Sequence, residues 1–294
     1  MELKNPNQIL SNIYMLLWQK TEALRYCDIY IPDTIIYKSN EPREWFFTSK
    51  TGRILRKSRL KLTAMHIRRS FTKKRHKDTG DIKAIYVYYK IDKDALEINK
   101  KDDFPLIILY LDQQKLIDFL KNPKQYPGGI LQKWITPYGP QNNLIKISWT
   151  PNITIFEKKQ NTKLICEENY DAYERAVTFD GPEYYSEIMR VTCAKSTSII
   201  KDICECMNKH FREITQNKID VTSMTCYFKL DTNSKFRFLF CSKLTISSIK
   251  NSYMDNFRLP EDCVPYISFT SNKPFDLWIN TKCPICKIPA IKEN

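Results

Sequence analysis

Glycine is scarce in this chain, and its scarcity restricts the sites that the chain can build. The sequence has six glycines among 294 residues, which is about 2% against an average near 7%. No two of them have the spacing of a dinucleotide-binding fingerprint or of a P-loop. Loops that cradle phosphates need the close backbone approach that glycine allows. The count therefore argues against a nucleotide-dependent enzyme and predicts no nucleotide cofactor.

The other residues that commonly carry catalysis are also sparse. The chain has three histidines, and two of them, His66 and His76, lie among arginines and lysines, where a histidine is a poor general base. The sequence contains no HExxH, GxSxG or EF-hand motif. These patterns predict a protein that is not an enzyme, with no catalytic residues.

Composition predicts a folded chain without a membrane span. Hydrophobic residues make up 42% of the sequence and aromatic residues 13%, enough for a real core. The longest apolar run, Pro105–Tyr110, is far shorter than the roughly 20 residues of a membrane-spanning helix. No signal or transit segment opens the sequence. We therefore expect a cytoplasmic location, with the nucleus as a weaker alternative, and we interpret the ten cysteines mostly as reduced thiols.

Positive charge is concentrated in one segment, residues 50–77, which we call the basic element. It contains no acidic residue, so it carries +12 of the formal net charge of +14. Its twelve basic residues are Lys50, Arg53, Arg56, Lys57, Arg59, Lys61, Arg68, Arg69, Lys73, Lys74, Arg75 and Lys77. Apolar residues run through the segment, which predicts that it packs against the body while displaying its charges.

The basic element has two interpretations. As a functional surface it would bind a polyanion: nucleic acid, an acidic protein surface such as tubulin, or anionic lipid. As an ordinary solvated face it would be neutralised in part by the acidic segment Glu167–Glu187, which holds seven acids and one base. A catalytic use of that acidic segment would pair two carboxylates such as Asp171 and Glu174, but no nucleophile, metal set or glycine loop accompanies them. We therefore expect a contact surface there.

Hydrophobic patterning predicts an α+β fold with a mostly antiparallel sheet and a few packed helices. The spacing indicates helices over 8–22 and 113–120 and one capped at Ser196 or Ser198 that ends near Ile214. Residues 45–55 are predicted to form a strand, a turn that contains Gly52 and a return strand. Further strands are predicted over 83–91, 105–111, 144–149 and 153–158, and residues 221–230 and 235–244 are predicted to form a hairpin. For residues 54–71 the period fits a strand and a helix equally, and Gly128-Gly129 is expected to break the chain.

Prolines and aromatic residues dominate the end of the sequence. Residues 1–249 are therefore predicted to form the α+β body and residues 250–294 an extended Pro/aromatic C-terminal arm. The arm contains a CxxC pair, Cys283 and Cys286, which has the spacing of half a zinc site. Cys206 and His210, four residues apart on one predicted helix, are the candidates for the other half. The alternative is a set of free thiols beside a histidine that packs in the core.

Three stretches carry a resemblance to known proteins. They are Tyr126-Pro127-Gly128-Gly129-Ile130-Leu131-Gln132, Tyr173-Glu174-Arg175-Ala176-Val177-Thr178-Phe179, and the pair Tyr227-Phe228-Lys229 and Phe238-Leu239-Phe240-Cys241-Ser242. Over residues 104–245 the chain resembles largely uncharacterised proteins of ciliated and flagellated eukaryotes. That resemblance implies an axoneme-associated protein without enzymatic activity.

These observations lead to one expectation and one alternative. We expect a non-enzymatic structural subunit of a cytoskeletal assembly, a ciliary or axonemal microtubule-associated protein that docks on tubulin or another acidic axonemal protein through the basic element. The alternative is an RNA- or DNA-binding subunit of a ribonucleoprotein complex, which would use the same twelve cations.

Overall fold

The computed structural model describes residues 6–23, 25–73, 80–90, 104–123, 126, 128–191 and 193–248. The arm predicted over 250–294 lies outside these residues, so its boundary with the body stays a prediction. Three cations of the basic element (Lys74, Arg75 and Lys77) and both cysteines of the CxxC pair also lie outside them.

Six antiparallel strands form the first sheet, in the order β3-β2-β1-β6-β4-β5. Short turns join β1 to β2 and β2 to β3, and β6 returns from later in the chain to pair between β1 and β4. The strands are β1 (Thr34–Lys38), β2 (Glu41–Thr48), β3 (Ile54–Arg56), β4 (Ala84–Tyr89), β5 (Leu106–Leu111) and β6 (Gly129–Lys133).

Five strands form the second sheet, in the order β11-β10-β7-β8-β9. All of its pairings are antiparallel as well. The strands are β7 (Gln141–Trp149), β8 (Thr154–Leu164), β9 (Ser186–Met189), β10 (Ile219–Leu230) and β11 (Phe236–Ser248).

Five α-helices are described, so the predicted α+β class with antiparallel sheets is confirmed. They are α1 (Pro6–Trp18), α2 (Ala64–Thr72), α3 (Gln113–Lys121), α4 (Ala172–Ala176) and α5 (Ala194–Ile214). Two short 3₁₀ turns, Arg59–Lys61 and Glu183–Tyr185, complete the regular structure. None of the helices in the described ranges is long and apolar enough to cross a bilayer.

Helix α1 lies between the two sheets and joins them. It packs against β3, β4 and β6 of the first sheet and against β11 of the second. Its side chains Leu10, Ile13, Tyr14 and Leu17 are all fully buried. Burial on every side explains why its sequence is apolar around most of the helix rather than along one stripe.

A buried amide ties this helix to both sheets. On β6, Nε2 of the Gln132 side chain lies 3.0 Å from the Tyr14 hydroxyl, 2.9 Å from Thr34 Oγ1 on β1 and 2.8 Å from the Leu239 carbonyl on β11, and its two N–H groups donate to these acceptors. The Tyr14 hydroxyl in turn donates to the same carbonyl. Because buried polar atoms must find partners, this arrangement specifies how the helix and the two sheets meet.

The other face of the first sheet is covered by α2 and α3. Ile67 and Phe71 of α2 and Leu116 and Phe119 of α3 are buried there against the sheet. The first sheet is therefore covered on both faces, which accounts for strands such as β4 that are apolar at nearly every position.

Several predicted elements are confirmed and others are corrected. Helix α5 and the β10–β11 hairpin lie where periodicity predicts them, although α5 begins after Cys193 without a side-chain cap from Ser196 or Ser198. The ambiguous residues 54–71 divide into a short strand, a 3₁₀ turn and α2. The break expected at Gly128-Gly129 falls between these two residues, because Gly128 lies in a bend and Gly129 begins β6. A Cβ atom at Gly129 would overlap the Val87 carbonyl, so glycine lets two strands approach closely.

Candidate functional site

A cavity of about 420 Å³ lies between the edge strand β5 of the first sheet and strands β7 and β10 of the second. Cavities of about 300–1,000 Å³ typically hold small molecules. The segment that follows α4 closes one side. The lining residues are Pro105, Leu106, Ile108, Leu144, Tyr173, Phe179, Asp180, Gly181, Pro182 and Tyr227.

Strand periodicity places these side chains. Leu106 and Ile108 alternate along β5 and line the cavity, and Tyr110 continues the same face one step further. On the second sheet, Leu144 and Lys146 share a face of β7. Tyr227 on β10 pairs with Lys146 and therefore belongs to that face too.

Among the described residues that line the cavity, Asp180 is the one that carries a carboxylate. The Tyr110 hydroxyl donates to both of its oxygens (3.1 and 3.2 Å), and the Thr178 backbone N–H donates to Oδ1 (3.2 Å). Burial raises the pKa of Asp180 to about 6, although these hydrogen bonds and the charge of Lys159 act in the opposite direction. The carboxylate therefore exchanges a proton close to neutral pH, as acid–base groups do.

Aromatic rings form much of the surrounding wall. Tyr110 meets Tyr173 edge to face with ring centroids 6.2 Å apart, and Phe179 meets Tyr227 in the same way at 5.8 Å. Burial raises the pKa of Tyr110 well above its ordinary value, so its hydroxyl stays protonated and remains a donor to Asp180. Aromatic faces beside a carboxylate attract cations such as ammonium groups.

Two lysines border the cavity at Phe179. The ammonium nitrogens of Lys146 and Lys159 lie 5.8 and 5.6 Å from the centroid of its ring. Lys159 is the cross-strand partner of the cavity residue Leu144, so both project from the same face. Lys146 is paired with Glu157 at 2.9 Å, whereas Lys159 forms no ion pair with the residues described. Within the described part of the rim, Lys159 thus offers a cation without an acidic partner.

Buried hydrogen bonds fix the segment that carries Asp180. Asn161 on β8 donates from Nδ2 to the carbonyls of Glu174 (2.9 Å) and Val177 (2.8 Å). The Ser186 hydroxyl donates to the Thr178 carbonyl at 3.0 Å. Because both side chains are buried, they hold α4 and the backbone that follows it in place.

Gly181 is required by the same close packing. A Cβ atom there would overlap the Val177 side chain and come within 2.6 Å of the Tyr173 hydroxyl. Glycine therefore lets the chain after Asp180 pass beneath the Tyr173 ring, which lines the cavity.

The acidic segment Glu167–Glu187 contains Asp180, but the carboxylate pair that the sequence suggested serves another purpose. Asp171 and Glu174 form the capping box of α4. Among the described residues, Asp171 also pairs with Lys115 on α3 (2.6 Å) and not with the basic element. The sequence gives only a weak signal for Asp180, because Tyr110 and Tyr227 are distant from it in the chain and come near it only in the folded protein.

The basic element lies away from this cavity, over β3, the 3₁₀ turn and α2. Two of its cations are used internally: Arg56 pairs with Glu44 (3.4 Å), and Lys57 pairs with Asp33 (3.1 Å). The exposed cations within the described part are Lys50, Arg53, Arg59, Lys61, Arg68, Arg69 and Lys73.

The described half of the zinc candidate is not arranged as a metal site. His210 is buried and its Nε2 lies 3.2 Å from the Leu16 carbonyl. Cys206 is in hydrogen-bond contact with Cys27, which lowers the pKa of the Cys206 thiol to about 6. No three His, Cys, Asp or Glu side chains gather as metal ligands within the ranges that the structure describes.

Neither a family model nor a curated protein matches the sequence. Solved structures do match. One is the macrocyclase MdnC from Microcystis aeruginosa MRC bound with precursor peptide MdnA, with 10% identity over 80% of this chain and 52% of that one (TM-score 0.38). A second is D-alanyl-alanine synthetase A from Vibrio cholerae O1 biovar eltor, with 8% identity over 80% and 55% (TM-score 0.38).

A third match is a Chryseobacterium gregarium RiPP-associated ATP-grasp ligase in complex with ADP and a leader and core peptide. Its identity is 9% over 79% of this chain and 53% of that one, with a TM-score of 0.34. This chain therefore spans little more than half the length of the structures it matches. The activities and ligands named here belong to those proteins.

These comparisons contradict the expected function. The matching structures are a macrocyclase, a synthetase and a ligase, which are enzymes, and the molecules named with them are peptides and ADP. The predictions of a protein that is not an enzyme, of a structural ciliary or axonemal role, and of tubulin or nucleic acid as partner are wrong. The scarcity of glycine argues only against loops that cradle phosphates, and it does not exclude a cavity lined mainly by strand residues such as the one at Asp180.

Two predictions stay as they were. The resemblance over residues 104–245 and the cytoplasmic location are not tested by the fold or by these comparisons. The function proposed next rests on the geometry of the cavity at Asp180.

Proposed function

We propose that the protein is an enzyme that binds a small zwitterion of the amino-acid class in the cavity between its sheets and takes a proton from the ammonium group of that ligand. The observation that carries the proposal is the Asp180 carboxylate, set among aromatic rings and held by the Tyr110 hydroxyl. The ligand's ammonium group would lie at Asp180 and its carboxylate at Lys159.

The aromatic wall and the carboxylate favour the same kind of group. An ammonium group is attracted by the ring faces of Tyr173, Phe179 and Tyr227 and by the negative charge of Asp180. These attractions strengthen where water is excluded. A neutral ligand of the same shape would gain only from the apolar wall. Selectivity for the cation is therefore the first property that the site predicts.

Lys159 supports the choice of a zwitterion over a simple amine. It lies on the face of the second sheet that lines the cavity, beside Phe179, and its charge lowers the pKa of Asp180. A cation at this position opposes the binding of a second positive group. It favours a ligand that carries a carboxylate at the end opposite its ammonium group.

The raised pKa of Asp180 suits proton transfer. At pH 7 the group is largely ionised, since its pKa is about 6. Transfer of one proton from the ligand's ammonium to Asp180 leaves a neutral amine with a free lone pair and a neutral carboxyl group. Burial between apolar walls disfavours both charges and so assists that transfer. The amine is then a nucleophile, which is the form an amine-consuming reaction requires.

Calorimetric titration with a matched set of ligands tests this proposal. The set is leucine, isopentylamine (which lacks the carboxylate) and 4-methylpentanoic acid (which lacks the amine). We expect leucine to bind most tightly and the acid most weakly. Asp180→Asn should weaken the binding of leucine by about tenfold or more, which is equivalent to about 1.4 kcal/mol of binding free energy.

Lys159→Met tests the carboxylate end of the ligand separately from the ammonium end. This variant should bind leucine more weakly, and it should bind isopentylamine as tightly as the wild type or more tightly. Lys163→Met is the matched control, because the Lys163 ammonium lies over Tyr170 rather than at the cavity. Equal affinity for the acid and the amine, or an Asp180→Asn variant that binds leucine normally, would refute the proposal.

A further inference from the structure

We infer that the described surface of the basic element docks on an anionic lipid bilayer. The docking face consists of Arg59, Leu60, Lys61, Met65, Arg68 and Arg69. All six side chains are exposed. This inference is independent of the proposed function, because the docking face lies on α2 and the preceding turn, which cover the face of the first sheet opposite to the second sheet.

Local structure fixes the direction in which the docking face points. Thr63 caps α2, because its hydroxyl oxygen accepts a hydrogen bond from the His66 backbone N–H. The helix places Ile67 and Phe71 inward against the first sheet. Met65 and Arg69, four residues apart, therefore share the outward side of the helix. The preceding 3₁₀ turn, which buries none of its residues, is capped by Ser58 and presents Leu60.

Two large apolar side chains project among these cations. Leu60 is 81% exposed and Met65 is 70% exposed. Leu60 stands directly between Arg59 and Lys61 in the sequence. An exposed leucine costs free energy in water, and a soluble partner that offers only phosphates does not bury it.

A bilayer satisfies both parts of the docking face. Anionic headgroups attract lysine and arginine at the surface, while leucine and methionine side chains enter the boundary between headgroups and acyl chains. Nucleic acid would engage the cations and leave Leu60 and Met65 exposed. The combination of charge and protruding apolar groups therefore favours the bilayer over nucleic acid.

Two acidic groups that lie beside the basic element are already paired with cations outside the docking face. Glu44 is engaged by Arg56 and Asp33 by Lys57. Lys61, Arg68 and Arg69 form no ion pair with acidic residues in the described part of the chain. Their charge is therefore available to an external anionic surface.

Vesicle co-sedimentation of the full chain tests the inference. The probes are vesicles of phosphatidylcholine alone and of phosphatidylcholine mixed with phosphatidylserine. We expect binding to the mixed vesicles, weakened by added salt because headgroup attraction is screened. The triple variant Lys61→Glu, Arg68→Glu, Arg69→Glu should lose that binding.

The decisive variant is Leu60→Ser with Met65→Ser, which keeps every charge. It should weaken binding to the mixed vesicles by about tenfold, since two apolar insertions are lost. The control is Ile153→Ser with Ile188→Ser, which removes two other exposed apolar side chains (65% and 82% exposed). Melting curves of each variant confirm that it is folded.

Three results would overturn the inference. The first is equal binding to both kinds of vesicle, or to neither. The second is full binding by the Leu60→Ser, Met65→Ser variant, which would show a plain polyanion surface; displacement by single-stranded RNA would then identify a nucleic-acid site. The third is a loss of binding in the Ile153→Ser, Ile188→Ser control as large as in the docking-face variant.

Discussion

Two ionisable side chains, Lys229 in the core and the half-buried Asp180, show what the fold does to charge at the scale of single residues. Lys229 is 2% exposed, and its ammonium nitrogen lies 3.2 Å from the Ile135 carbonyl and 3.6 Å from the centroid of the Trp134 ring. Burial lowers its pKa well below its ordinary value of 10.5, whereas burial raises that of Asp180. Both shifts favour the neutral form, as desolvation requires.

The Asp180 shift predicts a particular pH dependence of stability. Its pKa is 3.8 ordinarily and about 6 in the fold, so between these values the folded state binds more protons than the unfolded state. The stabilisation from protonated Asp180 is therefore complete below about pH 4 and is lost as pH rises through about 6. A partly exposed residue of this kind should contribute about 1–2 kcal/mol.

Urea unfolding of the wild type and of Asp180→Asn at about pH 4.5 and about pH 7.5 measures this effect. These two pH values lie on either side of the shifted pKa. The stability of the wild type relative to the variant should be higher at the lower pH. Asp112→Asn, at a half-buried helix cap, is the control for a carboxylate outside the cavity. A difference that does not change with pH would contradict the assigned shift.

At the scale of elements, the short helix α4 depends on one buried guanidinium. Arg175 is 2% exposed, and it donates from Nη2 to Asp81 (3.0 Å) and from Nε to the Tyr170 carbonyl (2.9 Å). A third donation reaches the Ile165 carbonyl. A five-residue helix cannot be stable by itself, so these bonds and its capping box hold it against the sheets.

Arg175→Met should therefore destabilise the protein by about 3 kcal/mol, because it leaves buried carbonyls without donors and breaks an ion pair. The leucine affinity of the cavity should also fall, since α4 positions Tyr173. Lys115→Met provides the comparison: its pair with Asp171 is about half exposed on both sides, and its loss should cost less than about 1 kcal/mol. Chemical unfolding of both variants measures the difference, and similar losses would contradict this account.

The sequence predicts elements best where one periodicity dominates. Helix α5 has a single apolar stripe that includes Ile200, Met207 and Phe211, and β10 and β11 alternate beside a tight turn. The short strands β1 and β6 carry no clear period, because each is buried on both faces of the first sheet. Their pairing is decided by contacts distant in sequence.

The candidate site could not be predicted for the same reason. Asp180 receives its hydrogen bond from Tyr110, 70 residues earlier in the chain, and its neighbour Phe179 packs on Tyr227 of another sheet strand. Neither contact leaves a local motif. The basic element was visible at once, because charge concentrated in sequence needs no fold to be recognised, and the strength of that signal led to the wrong functional class.

On the scale of the whole molecule, α1 joins both sheets. Removing residues 1–18 should expose apolar faces of the first sheet and of β11 at once. We expect the shortened protein to be insoluble or to bind a hydrophobic dye strongly. Tyr14→Phe should remain folded with a loss of about 1–3 kcal/mol, because it removes only the hydroxyl that links α1 to Gln132 and Leu239. If the shortened chain were soluble and unfolded cooperatively, α1 would be dispensable for folding.

The contact between Tyr14 and Leu239 spans 225 residues of sequence. During synthesis, α1 leaves the ribosome before the other elements described here, while its partner strand β11 is the last of these elements to leave. Pairings this distant in sequence form slowly. In the interval the apolar helix lacks its partner strand, so we expect the nascent chain to expose apolar surface until the β10–β11 hairpin emerges.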